Sequence, residues 1–294
     1  MSKKINYLPI ALLTCYFGKW PWYFPYFLHS CKFNPTVDFI IITDNSIPIE
    51  NKPDNVLIYV KTLNEIKAIA SVKLGFKVSI NEPYKLCDFK PAYGLLFSEV
   101  VSCYEFWGHG DIDIIYGNIR NFITRKVLNK HELITARHDF LSGTFTLFKN
   151  TPKMNMLFMQ SRDYKEVFSS PVHYCFDECN FLWKQIGELK QGESIFNLPC
   201  EIDSMTHVIR RLQLRNEIDA FFDFMIVEGR PGKLKWEKGK LIFKDTFEIL
   251  LYHLIKFKKE TRPSKVVNPI PDTFYISPNK VYSKHSNAKN FPTI

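Results

Sequence analysis

The chain has 294 residues, of which 46% are hydrophobic, 15% aromatic and 23% charged, a balance that suits a globular domain with a sizeable core and excludes disorder throughout. No apolar run reaches the roughly 18 residues that cross a bilayer. The seven cysteines form no CxxC pair, which argues against a zinc cluster or a disulfide framework. We therefore expect reduced thiols and a cytoplasmic protein.

The first segments of the chain predict an α/β domain. Residues 8–16, 37–43 and 57–62 are short, β-rich apolar runs, and residues 62–80 have helical spacing. Such short continuous strands, alternating with helices, are typical of a mainly parallel sheet covered on both faces. The start of the chain faintly resembles a signal peptide, but it contains Pro9 and lacks a small-residue cleavage site, so a first strand is favoured.

The middle of the chain continues this alternation. A helix is predicted to begin near Pro91, since proline is well tolerated in a first helical turn. FWGHGDIDIIYGNI (106–119) reads as a strand followed by a loop. Three further elements are predicted, namely a strand in HELITARHDF (131–140), a strand in GTFTLFKN (143–150), and a loop opening a helix in CFDECNFLWKQI (175–186).

The C-terminal part combines a predicted hairpin over 232–243, a short helix over 247–259 and a tail over 261–294 that has prolines and little periodicity. The net charge is +9, and residues 251–294 contribute eight Lys or Arg against Glu260 and Asp272. Such a basic segment either attracts phosphates of a nucleotide, a nucleic acid or an anionic membrane, or is simply a solvated tail. We expect one domain over 1–260 and a basic tail over 261–294.

Asp111 and Asp113 stand inside an otherwise apolar, aromatic segment. Residues two apart in a strand point to the same side, so both carboxylates can converge where the strand ends. Two buried carboxylates repel each other, and a divalent cation such as Mg²⁺ or Mn²⁺ resolves that cost while leaving coordination sites for phosphate oxygens. The alternative is a pair of loop aspartates that cap backbone amides.

A family resemblance extends this interpretation. YKLCDFKPAYG (84–94) followed by EFWGHGDIDIIYGNI (105–119) resembles a bacterial family of GT-A-type glycosyltransferase-like proteins with a D-x-D motif, often linked to surface-polysaccharide or lipopolysaccharide synthesis. The resemblance continues in DFLSGTFTLFKN (139–150), in FDE (176–178) and in the C-terminal hairpin. It implies a GT-A-like (Rossmann-like), mainly parallel sheet flanked by helices, and transfer of a sugar from a nucleotide-sugar, most simply a UDP-sugar, to a glycan or lipid-linked acceptor.

The resemblance also implies roles for particular residues. Asp111 and Asp113 would hold Mn²⁺ or Mg²⁺ against the donor diphosphate, with His253 completing the site and Lys256 or Lys258 reaching the phosphates. The other donor contacts lie at strand ends, at the predicted helix start and before a strand: Thr14, Cys15, Tyr16, Asp44, Asp88, Lys90, Ser142 and Gly143. For the residues at the strand ends and at the predicted helix start, the alternative is an ordinary strand end, turn or solvated helix charge.

Asp177 and Glu178 are the candidate catalytic carboxylates. If the enzyme inverts the anomeric carbon, one of them must take the proton of the acceptor hydroxyl. If it retains configuration, they would only orient the sugar. The alternative is acidic charge near a helix N-terminus, which the helix dipole favours.

Two other functions share parts of this pattern. A nucleotidyltransferase also uses paired aspartates, but TCYFGKWPWYF (14–24) lacks the expected glycine-rich phosphate loop. A nucleic-acid-binding protein would explain the basic tail, but no zinc knuckle, helix-turn-helix or RNP-like motif is evident. We expect no nucleic-acid partner, and we expect the tail to contact the anionic inner face of the cell membrane peripherally.

Overall fold

The computed structural model describes residues 7–181, 185–231, 233–261 and 269–283. The strands in these ranges are β1 (Ile10–Cys15), β2 (Val37–Thr43), β3 (Val56–Val60), β4 (Phe106–Gly110), β5 (Ile114–Tyr116), β6 (Leu133–Thr135), β7 (Phe145–Lys149), β8 (Ala220–Phe222), β9 (Ile226–Glu228), β10 (Leu234–Glu237), β11 (Lys240–Phe243), β12 (Phe247–Ile249), β13 (Leu251–His253), β14 (Thr273–Ser277) and β15 (Lys280–Tyr282).

The helices in the same ranges are short. They are α1 (Phe24–Lys32), α2 (Leu63–Leu74), α3 (Leu86–Phe89), α4 (Tyr93–Leu96), α5 (Ser98–Val101), α6 (Ile119–Phe122), α7 (Arg125–Lys130), α8 (Pro152–Asn155), α9 (Tyr164–Ser169), α10 (Ile186–Lys190), α11 (Met205–Leu214) and α12 (Phe257–Glu260). Four 3-10 turns accompany them: Pro83–Lys85, Lys90–Ala92, Leu157–Gln160 and Ile195–Asn197. No helix that the structure describes is long and apolar enough to cross a membrane.

The central sheet has seven strands in the order β3-β2-β1-β4-β7-β6-β8, and every neighbouring pair is parallel except those that involve β7. Successive residues of β1 pack into two different hydrophobic clusters, Leu12 into one and Leu13 into the other. This is what a strand covered on both faces requires, because its side chains alternate in direction. The predicted mixed α/β architecture with a mainly parallel sheet is confirmed.

Local signals explain several elements that the sequence predicts. Thr62 and Glu65 form a capping box at the start of α2, and the helix ends at Gly75 in the left-handed conformation. The predicted helix is therefore correct over 63–74, and residues 76–80 leave it. The helix predicted to begin near Pro91 is wrong in its start, because helical turns begin at Pro83, and the region is divided into 3-10 turns and single α-turns rather than one helix.

Two smaller sheets pack beside the central one, in the orders β12-β11-β10-β14-β15 and β5-β13-β9. The predicted hairpin is the antiparallel pair β10–β11, which turns through Lys238 and Gly239, both at positive φ. The predicted helix over 247–259 is wrong for its first half. Residues 251–253 instead form β13 between β5 and β9, so pairing with distant strands overrides the local helical periodicity.

The predicted tail also contains regular structure. Strand β14 pairs with β10 along its length, and Phe274 stacks on Trp236 with the ring centroids 5.1 Å apart. The expectation of an irregular tail is therefore wrong for residues 273–282, because buried aromatic packing anchors them to the hairpin. The rest of the predicted tail, 262–268 and 284–294, lies outside the described residues.

Candidate active site

A cavity of about 500 Å³ opens at the carboxyl ends of β1 and β4. These strands are parallel neighbours, so the chain leaves both of them at the same edge of the sheet. Thr14, Cys15 and Tyr16 line the cavity from β1, and Asp111 and Asp113 line it from the segment after β4. This edge is where open α/β sheets commonly bind ligands.

The segment after β4 is shaped by close backbone contacts. Thr14 Oγ1 donates to the Gly110 carbonyl at 3.0 Å, which joins the ends of the two strands. A Cβ at Gly110 would lie 2.8 Å from the Tyr116 hydroxyl, so any other residue there would have to displace the buried Tyr116 side chain. In the β5–β13 pair His253 lies opposite Ile114, and the Leu254 amide donates to the Asp113 carbonyl at 2.9 Å. Strand pairing therefore brings His253 beside Asp113.

Asp111, Asp113 and His253 form a possible metal site. One ligand atom from each lies within 4.8 Å of the others, and His253 Nε2 is 3.2 Å from Asp113 Oδ2. His253 Nδ1 lies 3.1 Å from Glu228 Oε1, an orienting contact of the kind that carboxylates make behind metal-binding histidines. Two carboxylates and an imidazole suit Mn²⁺ and are compatible with Mg²⁺. The donor set therefore fits the ion that the sequence predicts.

Charges within the site balance one another. Burial opposes the ionisation of Asp113, but contacts with His253 and with Lys258, whose Nζ donates to Oδ2 at 2.5 Å, outweigh burial and lower the pKa of Asp113. Burial likewise opposes the protonation of His253, but Asp113 and Glu228 raise its pKa to about 10. A metal ion bound here must displace the His253 proton and the Lys258 ammonium group, so binding should weaken as pH falls.

Lys90 connects the two sides of the cavity. Its Nζ donates to Asp111 Oδ1 at 2.7 Å and to the Gly143 carbonyl at 2.8 Å, and it lies 3.4 Å from Asp177 Oδ2. Burial opposes its charge, but Asp111 and its other anionic neighbours outweigh burial and raise the pKa of Lys90. Lys90 therefore stays cationic between the possible metal site and the candidate catalytic carboxylates.

Asp177 and Glu178 lie on the far side of Lys90, in a turn that is well separated from the next described helix, α10. The Gly143 amide donates to Glu178 Oε1 at 2.7 Å. Burial raises the pKa of Asp177 to about 7, with Lys90 opposing and Glu178 reinforcing the shift, and burial also raises the pKa of Glu178. Asp177 is thus a carboxyl group that can exchange a proton near neutral pH.

We expect Gly143→Ala to disturb both carboxylates. A methyl group at Gly143 would lie 2.7 Å from Asp177 Oδ2 and 2.8 Å from Glu178 Oε1, so these side chains must move. We expect a loss of about 1–3 kcal/mol in the free energy of unfolding, measured by urea denaturation. Gly187→Ala is the matched control, because nothing lies within 4 Å of its added carbon and alanine favours a helix. Equal stability of the two variants would contradict this packing.

Most of the predicted site residues line the one cavity: Thr14, Cys15, Tyr16, Lys90, Asp111, Asp113, Gly143, Asp177, Glu178 and His253. Asp44 does not line it, because its Oδ1 accepts from the Gly18 amide at 2.7 Å in a neighbouring loop. Lys256 is exposed because His253 lies on a strand, and the predicted helical turn between the two residues does not exist. Lys258 reaches Asp113 instead.

Two predicted donor contacts need correction. Asp88 is fully buried and accepts from Lys85 Nζ at 2.7 Å, so it cannot contact a base or a sugar. Ser142 is also fully buried, with its hydroxyl 2.7 Å from the Thr144 hydroxyl. The neighbouring Gly143 lines the cavity, so it is the residue of this loop that can contact a donor.

Sequence reasoning missed other residues of the cavity. Glu228 and Arg137 both line it and form an ion pair with each other, and the same Glu228 contacts His253. Only the pairing of β9 with β13 brings Glu228 there, and no local pattern indicates that pairing. Tyr84 and His173 also line the cavity, and their rings are in edge contact at 4.5 Å.

A family model described as "Family of unknown function (DUF6625)" matches residues 12–285. The chain belongs to this family. The DUF6625 match covers every residue of the cavity, from Thr14 to Lys259. A search of curated proteins found no match.

The solved structures that are similar to this DUF6625 chain include three of low identity. A galactosyltransferase LgtC in complex with donor and acceptor sugar analogs has 8% identity over 71% of this chain and 96% of its own, with a TM-score of 0.34. The apo-form glycosyltransferase GlyE of Streptococcus pneumoniae TIGR4 has 11% identity over 72% of this chain and 44% of its own, with a TM-score of 0.31. A second GlyE structure has 13% identity over 73% of this chain and 45% of its own, with a TM-score of 0.30. The chain spans less than half the length of the GlyE chains. Scores this low do not establish a shared function.

Proposed function

We propose that this protein is a metal-dependent glycosyltransferase that moves a sugar from a nucleotide-sugar, most simply a UDP-sugar, to a glycan or lipid-linked oligosaccharide. One observation carries the proposal. The possible metal ligands Asp111, Asp113 and His253 share a cavity with Asp177 and Glu178. Such an arrangement can hold a diphosphate on one side of a sugar and an acceptor on the other.

The metal side would bind the leaving group. Asp111, Asp113 and His253 would hold Mn²⁺ or Mg²⁺, which when bound offsets negative charge on the nucleoside diphosphate. Lys258 and Lys90, freed from their carboxylates, would bind phosphate oxygens as point charges.

The acceptor side would handle one proton. As the bond between the anomeric carbon and the diphosphate oxygen breaks, the acceptor oxygen bonds to that carbon and its proton passes to a carboxylate. Asp177 suits this role because its pKa of about 7 lets it accept a proton at neutral pH, whereas Glu178 is held by the Gly143 amide. If configuration is retained, both residues orient the sugar.

We assign the acceptor to bacterial surface-polysaccharide synthesis at the cytoplasmic side of the membrane, with no nucleic-acid partner. The charge of residues 251–294, eight Lys or Arg against Glu260 and Asp272, would favour anionic lipid headgroups. Equal rates of transfer onto a lipid-linked acceptor in anionic and in neutral vesicles would contradict the membrane contact.

Thermal melting with a panel of nucleoside diphosphates, each with and without Mn²⁺, tests the proposal. A ligand that binds only the folded protein at about 100 times its dissociation constant stabilises it by about 2.7 kcal/mol. We expect one nucleotide, UDP first, to raise the melting temperature only when Mn²⁺ is present. If no nucleotide changes the melting temperature with any divalent metal, the cavity does not bind a nucleotide-sugar and the proposal fails.

A further inference from the structure

Cys175, His173 and Asp88 form a row of three side chains at one wall of the cavity. Cys175 Sγ is 3.4 Å from His173 Nε2, and His173 Nδ1 is 3.2 Å from Asp88 Oδ1, although at an angle poorer than that of a hydrogen bond. Cys175 and His173 line the cavity, whereas Asp88 is fully buried behind them. A thiol, an imidazole and a carboxylate in this order allow the thiol proton to pass to the imidazole.

Asp88 also fixes the backbone on both sides of Cys175. Its carboxylate accepts from the Tyr174 amide at 3.0 Å and from the Phe176 amide at 2.9 Å. Between these two amides Cys175 has a φ of 53°, a left-handed conformation that non-glycine residues rarely adopt. Such a conformation persists only where the surroundings enforce it. Asp88 thus supports both the imidazole and the strained turn that carries the thiol.

Burial disfavours the thiolate form of five other cysteines. Burial raises the pKa of Cys15 to about 12, and burial also raises the pKa values of Cys31, Cys87, Cys179 and Cys200. Burial opposes the charge of His173, but Asp88 and Cys175 raise its pKa to about 10, so it is cationic at neutral pH. A cationic imidazole beside a thiol favours the thiolate.

We propose that Cys175 is a reactive thiolate, activated by His173 and Asp88, and that it is a modification site for low-molecular-weight disulfides. The thiolate attacks one sulfur of the disulfide, and a new S–S bond forms as the old one breaks. The departing half leaves as a thiolate that takes a proton from solvent, while the original thiol proton stays on His173. The exchange is electron-balanced and needs no further oxidant.

If the protein is the proposed glycosyltransferase, the modification of Cys175 would also impair sugar transfer. Cys175 and Asp177 line the same cavity, two residues apart, so a group attached to the sulfur would occupy space beside the candidate base. A thiol reductant would remove the group. The reactivity itself does not rest on the transferase proposal, so it can be tested separately.

The test is site-resolved labelling of the full-length protein with hydroxyethyl disulfide at pH 6, with each cysteine quantified by peptide mass spectrometry. The exposed Cys103 of the same molecule is the internal reference. An ordinary thiol is on the order of 1% ionised or less at this pH, and the lower nucleophilicity of an acidic thiolate offsets part of its advantage. We expect Cys175 to react about tenfold faster than Cys103 despite its lower exposure.

Several acidic and basic groups surround the pair of Cys175 and His173. They are Asp88 and Lys85 around α3, Tyr84 of the preceding 3-10 turn, and Asp177, Glu178 and Cys179 of the segment that carries the pair. In the hydrogen bonds of the described residues, none of these groups contacts the Cys175 sulfur, whereas His173 does.

The variant His173→Gln separates activation from exposure. We expect it to slow labelling of Cys175 at least tenfold while Cys103 reacts as before. Unchanged labelling of Cys175 in a folded His173→Gln protein would overturn the proposal. If this variant melts before it can be labelled, the wild-type comparison decides, because a Cys175 rate no greater than that of Cys103 overturns the proposal equally.

Discussion

Asp113→Asn is expected to reduce sugar transfer by on the order of 10³-fold and to remove the stabilisation by nucleotide and Mn²⁺. The substitution removes the charge of the most buried carboxylate in the possible metal site, where His253 and Lys258 both contact the same oxygen, Oδ2. It also leaves those two cations without their main counter-charge, which should lower the free energy of unfolding by up to about 3 kcal/mol. Both effects are measurable, by transfer assays and by melting with and without the metal.

The matched control is Asp219→Asn. Asp219 also faces a histidine, with Oδ1 2.6 Å from His131 Nδ1, but it is half-exposed and lies outside the cavity. We expect this variant to transfer sugar at the wild-type rate. Retention of more than about a tenth of wild-type transfer by a folded Asp113→Asn protein would count against a metal-holding role for Asp113.

Asp177→Asn is expected to lower kcat by about 10²–10⁴-fold while the melting shift with nucleotide and Mn²⁺ persists, since the proposed base acts on the acceptor and not on the donor diphosphate. A base must be deprotonated to act. With a pKa of about 7, Asp177 should make the wild-type kcat rise as pH increases through 7 and level off above it. In Asp177→Asn this rise should disappear.

Glu178→Gln is the neighbouring comparison. Its side chain keeps an oxygen that can accept from the Gly143 amide, so we expect a smaller loss of kcat. The rise of kcat with pH should persist but move to lower pH, because the charge of Glu178 no longer raises the pKa of Asp177. If Glu178→Gln instead abolishes the rise with pH and Asp177→Asn does not, the two roles are exchanged. If both variants keep the wild-type kcat, neither carboxylate is the base, and an orienting role with retained configuration becomes the better interpretation.

The parts of the fold that local patterns determine were predictable from the sequence. Strands β1 and β2 are continuous apolar runs, and both are buried as expected of strands covered on two faces. Asp111 and Asp113 follow such a strand, as the sequence indicates, but they lie in the bend between β4 and β5 and not in a strand. The β10–β11 hairpin has a glycine-containing turn that indicates its position.

Features that depend on distant pairing were not predictable. The segment around His253 is apolar with helical spacing, and only its contacts with β5 and β9 make it a strand. Asp88 looks like surface charge at a helix start, yet Lys85 and the segment that follows Val172, more than 80 residues later, bury it. No local signal could show that its partners are backbone amides.

The order of these elements along the chain has a consequence for synthesis. All seven strands of the central sheet lie between Ile10 and Phe222, whereas His253 and Lys258 come later. Domains generally fold as units, and one face of this sheet packs in a cluster that contains the later residues Leu251 and Phe257. A nascent chain therefore cannot bury both faces of the scaffold that carries Asp111 and Asp113 until the residues that complete the cavity have been made. Ligand capture would then be delayed until translation has passed β13.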